Sequence, residues 1–415
     1  MTEEDFQILT SDKVQTLIEQ NLHRNPVDFA MTFIHNDIPT ALVSRQIKYL
    51  QKAETKLPSW FHARCIIPPV SYEQSSSEIT ASMKEFSGGH CLDLTCGLGV
   101  DAFYFSKKFD QVTALESDPV LAKVARHNFS RLGAANISVI HQDAARFIRQ
   151  NSGLIYDLIY ADPSRRDVQG KRVHDLQNTS PDMVALFPLL QFMAKTILIK
   201  LSPLFDIAEA FRLFPLAKVC RVNSVNNECK ELLIEIRMAD SENEPHRIEA
   251  EIFRHKEKQK FVFHPSGLRQ TDHIPEIMPA FIGEPDVAFY KARVVPDLFS
   301  RYYPQWEGYL NSPDGFFFSQ APPPGFFAGR VFEIKDSFLW KPREVKKKLK
   351  SQGIQRINII KRNFPFSVQD SRARIGQPEG GDDFLLLTIY NGNSWCFLAR
   401  WYKMSEEIVD LEKPE

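Results

Sequence analysis

Four acidic residues, Asp93, Glu116, Asp143 and Asp162, each close or follow a short apolar run. The first opens the turn Asp93-Leu94-Thr95-Cys96-Gly97-Leu98-Gly99-Val100-Asp101-Ala102. Two glycines in that turn, Gly97 and Gly99, let a ligand approach the backbone before the next helix begins. The spacing Gly97-x-Gly99-x-x-Ala102 also satisfies the loose dinucleotide fingerprint, which makes an NAD-dependent oxidoreductase one reading of it. Asp93 weighs against that reading, because a docked pyrophosphate would face a carboxylate. A ligand bearing an ammonium would instead be stabilised there, and S-adenosyl-L-methionine bears both an ammonium and a sulfonium.

Glu116 lies 23 positions after Asp93, one strand and one helix further on, where a carboxylate can accept hydrogen bonds from both ribose hydroxyls. Asp143 follows the third apolar run, placed to accept from an adenine amine, and Asp162 follows the fourth. The carboxyl ends of parallel strands define the ligand crevice of an open sheet, so the four acids are expected to converge there. Such a concentration of negative charge suits a cationic cofactor better than NAD. Thr95, between Asp93 and the glycines, is counted with the cofactor residues. Each acid taken alone could equally cap a helix.

Apolar runs at 90–95, 111–116, 137–141, 156–161 and 196–201 read as strands with helical stretches between most of them. That alternation predicts βαβ units and a parallel sheet covered on both faces. Two further strands, near 217–225 and 231–238, lack an intervening helix and fit an antiparallel closing pair. Residues 1–86 read as helical: Ser11 precedes Val14, Leu17, Ile18 and Leu22, and Pro26 and Pro39 fit first-turn positions. Ser75 and Glu78 fit a capping box that opens a helix over 76–86.

Beyond about 240 the composition shifts. Residues 247–264 look like a hairpin, 283–330 are rich in Pro and Phe, and 331–402 give a short α/β pattern. The strands of that pattern fall near 330–334, 356–360, 384–389 and 395–400, with a basic helix over 342–351. The expected division is a helical region 1–86, a cofactor domain 87–282 with the hairpin as an extension, a small segment 283–330 and an end domain 331–415.

At 415 residues, with 43% hydrophobic and 25% charged positions, the composition is that of a multidomain globular protein rather than a disordered or disulfide-rich one. No apolar run approaches the roughly 18 residues that span a bilayer, and mean hydropathy is −0.28. Met1-Thr2-Glu3-Glu4-Asp5 is acidic where a secretory signal would be basic, so a cytoplasmic location is expected. The six cysteines are scattered without a Cys-x-x-Cys pair, so free thiols are expected and no metal site is. Net charge is −1, which leaves any nucleic-acid affinity to a local patch. Between 341 and 374 lie eleven basic residues, among them Lys346, Lys347, Lys348, Lys361 and Arg362, against two acidic ones. Such a run can contact phosphates or simply be a solvated face.

Through Asp93-x-x-x-Gly97-x-Gly99, Glu116, Asp143 and Asp162-Pro163, the sequence resembles the class I S-adenosylmethionine-dependent methyltransferases. More closely it is similar to the bacterial members with a C-terminal THUMP-like domain, through Glu73-Gln74-Ser75-Ser76-Ser77-Glu78, Ala161-Asp162-Pro163-Ser164-Arg165-Arg166, Glu284-Pro285-Asp286 and Arg330-Val331-Phe332-Glu333-Ile334. The resemblance implies a seven-stranded Rossmann-like sheet behind a helical N-terminal region, then small α+β domains: a ferredoxin-like segment at 283–330 and the THUMP-like end domain. It also implies Gln74 and Ser76 near the cofactor's carboxylate, and RNA, either tRNA or rRNA, as substrate and partner. Asp162, Pro163, Ser164 and Arg165 stand where amine-methylating nucleic-acid enzymes carry (Asp/Asn)-Pro-Pro-(Tyr/Phe), so they are the expected catalytic set. The hydrogen-bond acceptor is kept, while Ser164 replaces the second proline and Arg165 the aromatic ring. A guanidinium can stack on a base by other means. The expected reaction is methylation of a base nitrogen oriented by Asp162, without a metal or a cysteine nucleophile. A catalytically silent RNA-binding protein that retains the fold is the alternative.

Overall fold

The computed structural model describes residues 1–35, 37–164, 179–239, 244–264 and 277–403. The chain divides into two compact units, one of Met1–Val225 with Lys230–His246, the other of Asn226–Cys229 with Arg247–Glu415.

Among the described residues seven strands build the first unit: β1 (Gly88–Asp93), β2 (Phe109–Glu116), β3 (Ile137–His141), β4 (Tyr156–Ala161), β5 (Ala194–Leu201), β6 (Val219–Val225) and β7 (Glu228–Arg237). They lie in the order β3-β2-β1-β4-β5-β7-β6. The first five are parallel and β7 runs antiparallel to β5. Cys91, Leu92, Leu158, Ile159, Ile197 and Leu198 are all buried, as expected of strands covered on both faces. Strand order reverses between β1 and β4, and an open α/β sheet binds ligands at the carboxyl ends of the strands beside such a reversal. Asp93 and Asp162 sit at those two ends.

Among the described residues seven helices precede the sheet, Glu3–Thr10, Asp12–Asn21, Pro26–Thr32, Thr40–Lys56, Pro58–His62, Pro69–Gln74 and Glu78–Ser82. Pro26, Pro58 and Pro69 open theirs, whereas Pro39 is the N-cap of Thr40–Lys56 and not its first residue. Val14, Ile18, Leu50 and Trp60 share one continuous core with Phe103, Phe105 and Phe129 of the sheet layer, so the helical region is not a separate domain. Asn128 fastens the two, accepting from the Ile66 N–H at 2.9 Å and donating to the Ile66 carbonyl at 2.8 Å.

The expected Ser75/Glu78 capping box is displaced by two residues. Ser77 caps Glu78–Ser82 with Thr80, and the helix stops at Ser82 rather than 86. Glu78 turns inward, where its carboxylate accepts from the Ser59 N–H and O–H and from the Tyr104 hydroxyl.

The second unit contains a hairpin, β8 (Arg247–Arg254) and β9 (Glu257–Phe263), and a sheet of seven further strands. These are β10 (Phe281–Pro285), β11 (Tyr309–Leu310), β12 (Phe317–Ser319), β13 (Gly329–Leu339), β14 (Asn358–Lys361), β15 (Asp383–Tyr390) and β16 (Asn393–Trp401), in the order β11-β12-β10-β13-β16-β15-β14. β13 crosses the boundary drawn at 330 and pairs with β10 on one side and β16 on the other. Residues on both sides of that boundary therefore pair within one sheet. Phe316, Phe318, Phe332 and Phe397 fill its core, which accounts for the Phe-rich composition.

Candidate active site

Asp93 ends β1 with 1% of its surface exposed. Its Oδ1 accepts the Thr95 N–H at 2.8 Å, while Thr95 Oγ1 accepts the N–H of Asp162 at 2.7 Å. Thr95 thus pins the loop after β1 to the loop after β4. Gly97 and Gly99 have φ of +54° and +84°, which favours glycine at both. At Gly99 a Cβ would also fall 2.3 Å from the Phe129 ring. At Gly97 a Cβ would meet nothing nearer than the Thr95 carbonyl oxygen at 3.9 Å, so the backbone there lies open to a ligand. The Gly97 N–H donates to Glu116 Oε2 at 2.9 Å, and the Asp118 N–H donates to Oε1 at 2.9 Å. Both Glu116 oxygens keep a lone pair for ribose hydroxyls.

Burial pushes the Asp93 carboxyl up to about 8; the Thr95 N–H opposes this, and the nearby charges of Asp101 and Asp162 add to it. An arriving ammonium removes the cost of ionising it, so this donor set fits S-adenosylmethionine. Because the free acid is protonated below about pH 8, affinity for S-adenosylhomocysteine should rise by about tenfold per pH unit below that value and level off above it. Asp93→Asn should abolish the slope and weaken binding by roughly tenfold to a hundredfold, the loss of one charged hydrogen bond. Calorimetric titration across pH measures both, and a flat wild-type profile would remove Asp93 from the ammonium site.

The remaining expected residues separate. Asp143 is exposed and caps Ala144–Gln150 through the Arg146 N–H at 2.9 Å, so its observed role is the cap. Gln74 is exposed at the end of its helix. Ser76 is buried, donating to Asp101 Oδ2 at 2.7 Å and accepting from Lys200 Nζ at 2.9 Å. Pro163 is buried, and Ser164 forms an antiparallel bridge with Ser180. Arg165 lies outside the described residues, with Arg166, Asp167 and Arg172.

Sequence reading missed the cations behind the crevice. Lys200, on β5, places Nζ 2.6 Å from Asp162 Oδ2. Burial would lower the Lys200 ammonium, but Asp162, Asp101 and Glu231 hold it above the usual lysine range. Deeper, the fully buried Lys84 ammonium lies 3.0 Å from Asp101 and 2.9 Å from Glu231. Burial would raise Asp101, yet Lys84, Lys200 and Ser76 hold it at about 2. The Tyr160 hydroxyl donates to Asp101 Oδ2 at 2.9 Å, and Asn223 donates to Glu231 at 2.8 Å. A lysine inside Thr196-Ile197-Leu198-Ile199-Lys200-Leu201, a strand buried on both faces, is the signal that could have found this network. Among the described residues no cluster of His, Cys, Asp or Glu is arranged to hold a metal ion, and no helix is long and apolar enough to cross a membrane.

In the second unit the basic run divides. Lys348 pairs with Asp336 at 2.9 Å and covers the Phe338 ring, and Lys361 donates to the Phe364 carbonyl at 3.3 Å. Arg362 pairs with the buried Glu284 at 3.0 Å and stacks 3.8 Å from the Tyr290 ring centroid. These three expected RNA residues have partners within the protein. Lys346 and Lys347 are exposed on the helix Pro342–Ser351, with Arg343 and Lys350. Phe364 is core.

Two families match parts of the chain: "Conserved hypothetical protein 95", a methyltransferase family, over residues 78–180, and "THUMP domain-like" over 329–400. The first covers β1 to β4 with the glycine turn and Asp162, the second β13 to β16. A curated relative named "Uncharacterized RNA methyltransferase", from Thermotoga maritima, is 24% identical over 176 residues. That alignment covers 40% of this chain and 40% of the relative, so the chain spans well under half of that protein's length. The crystal structure of a protein assigned to the methyltransferases, from Porphyromonas gingivalis W83, superposes with a TM-score of 0.80 at 26% identity. It covers 97% of this chain and 100% of its own. The likeness runs over nearly the whole length, and the two family matches fall on the turn-bearing sheet and on the terminal strands, so the chain is similar to methyltransferases in the first part and to THUMP-like domains at its end.

Proposed function

We propose that this protein transfers a methyl group from S-adenosyl-L-methionine to RNA, tRNA or rRNA, in the cytoplasm. The observation that carries the cofactor assignment is the buried Asp93 carboxylate beneath the open Gly97 backbone, with Glu116 locked beside it. When bound, the cofactor supplies a methyl group activated by its sulfonium. Asp93 would hold the ammonium and Glu116 the ribose. Asp162, tied by its own N–H to Thr95, would be kept at a fixed distance from both. Asp162 read from its motif alone favours a base nitrogen as acceptor; Lys200, which the motif does not contain, weighs against that.

RNA is supported by the name of the Thermotoga relative, by the THUMP-like match and by the exposed cations on Pro342–Ser351. Incubating the protein with tritiated cofactor and total RNA from cells lacking it should label the RNA. Label in protein alone would end the RNA reading, and binding without label would favour a silent RNA-binding protein. Reversing Lys346, Lys347 and Lys350 to Glu should weaken RNA binding and leave S-adenosylhomocysteine binding unchanged. Each lost phosphate contact should flatten the log–log salt dependence by about 0.7 for a single strand. An unchanged slope would assign those lysines to solvent.

A further inference from the structure

We propose that the methyl acceptor is a hydroxyl, the ribose 2′-hydroxyl of an RNA strand, and that Lys200 and Asp162 act on it together. This rests on the reading of the chain as an RNA methyltransferase.

The pair stands at the crevice. Asp162 follows β4 with a side chain 34% exposed, and Lys200 reaches it from β5 with 14% of its own side chain exposed. Among the described residues, two of the three ammonium N–H groups are taken, by Asp162 Oδ2 at 2.6 Å and Ser76 Oγ at 2.9 Å. The third is left for an acceptor in the crevice. Asp162 Oδ2 is held by the ammonium, and Oδ1 is the oxygen that can receive a proton. Asp93 and Tyr160 lie near Asp162, and Asp101 and Glu231 join Asp162 in keeping Lys200 charged.

A hydroxyl and an amine ask for different surroundings. A hydroxyl is a weak nucleophile until its proton is leaving, and negative charge then grows on its oxygen. A carboxylate that takes the proton and an ammonium that stabilises the charge meet both needs. The oxygen has two lone pairs, one to accept from Lys200 and one to attack. A nitrogen acceptor has one, and an ammonium donating to it would occupy the electrons that must reach the methyl carbon. Nor does the motif after Asp162 carry the aromatic ring that would hold a base, since Ser164 and Arg165 stand in its place.

In the transfer the acceptor oxygen bonds to the methyl carbon and the carbon–sulfur bond breaks, with its electron pair staying on sulfur. The hydroxyl proton passes to Asp162 Oδ1 and from there to water. Positive charge lost from the sulfonium balances the negative charge lost from the carboxylate.

The test is the identity of the product. RNA labelled by the wild-type protein is hydrolysed in alkali and, separately, digested to nucleosides for mass spectrometry. Alkaline cleavage needs a free 2′-hydroxyl, so 2′-O-methyl label should survive in an alkali-resistant dinucleotide and appear as a ribose-methylated nucleoside. Label on a base overturns this proposal and leaves the RNA methyltransferase reading standing. No label in any RNA overturns both. Lys200→Met should lower transfer by about 10²- to 10³-fold, the cost typical of one lost oxyanion donor, while S-adenosylhomocysteine affinity stays within a few-fold. A Lys200→Met protein that transfers at the wild-type rate overturns the role given to the ammonium. The product measurement uses only the wild-type protein and does not depend on how the variant folds.

Discussion

Replacing Asp162 with asparagine should lower methyl transfer by about 10²- to 10⁴-fold, the range for loss of a positioned proton acceptor, without weakening S-adenosylhomocysteine binding. Asparagine keeps a side-chain oxygen for Lys200 and keeps the backbone N–H that donates to Thr95 at 2.7 Å, so the two loops stay joined. What it loses is the ability to take a proton. Its effect on the cofactor runs the other way. The Asp162 charge is one of the influences that raise the Asp93 carboxyl to about 8, so removing it lowers that value and leaves more Asp93 ionised at neutral pH. Affinity for the ammonium-bearing ligand should therefore hold or tighten slightly, and the pH at which it levels off should move down. Single-turnover transfer and calorimetry on one preparation separate the two effects. Equal losses in both would put Asp162 among the cofactor contacts instead.

The two arms of the crevice were not equally legible. Asp93, Gly97, Gly99 and Glu116 could be read because each answers a local demand: a strand end, a positive φ, an acceptor one unit later. The seven strands of the first unit were legible for the same reason, their apolar runs being contiguous. At Asp143 that logic meets two demands at once, since a strand-end acid and a helix cap have the same sequence signature and this residue caps its helix through one oxygen while its carboxylate stays exposed. Lys84, Asp101, Lys200 and Glu231 come from four separate stretches of chain, and nothing local announces that their charges will meet. The basic run posed the opposite difficulty. Charge alone cannot tell Lys347, which is exposed, from Arg362, whose partner Glu284 lies 78 residues away in sequence. The shift in composition near 330 marked the start of β13, where the THUMP-like match also begins, but gave no sign of its pairing with β10.

Lys84→Met should be the most destabilising single change in the first unit, costing about 3–5 kcal/mol, the range for breaking a buried ion pair from one side. The Lys84 side chain is fully buried between Asp101 and Glu231, and methionine matches its length without its charge. Asp101 would keep Ser76 and Tyr160, and Glu231 would keep Asn223, but none of these carries the compensating charge. Adding Asp101→Asn and Glu231→Gln to the same chain should recover most of the loss, because the cost arises from uncompensated carboxylates and not from the missing lysine itself. Acid provides a second signature. In the wild type Asp101 is held at about 2, below its unfolded value near 3.9. Its ionised form thus stabilises the fold above about pH 4, and that stability is lost as pH falls toward 2. Without Lys84 the carboxyl rises, and protonation then relieves the buried charge instead of removing a partner. The stability gap between wild type and Lys84→Met, read from urea midpoints of the intact chain, should accordingly narrow as pH is lowered from about 8 to about 4. A gap that stays constant over that range would assign the loss to packing around the lysine stem rather than to charge.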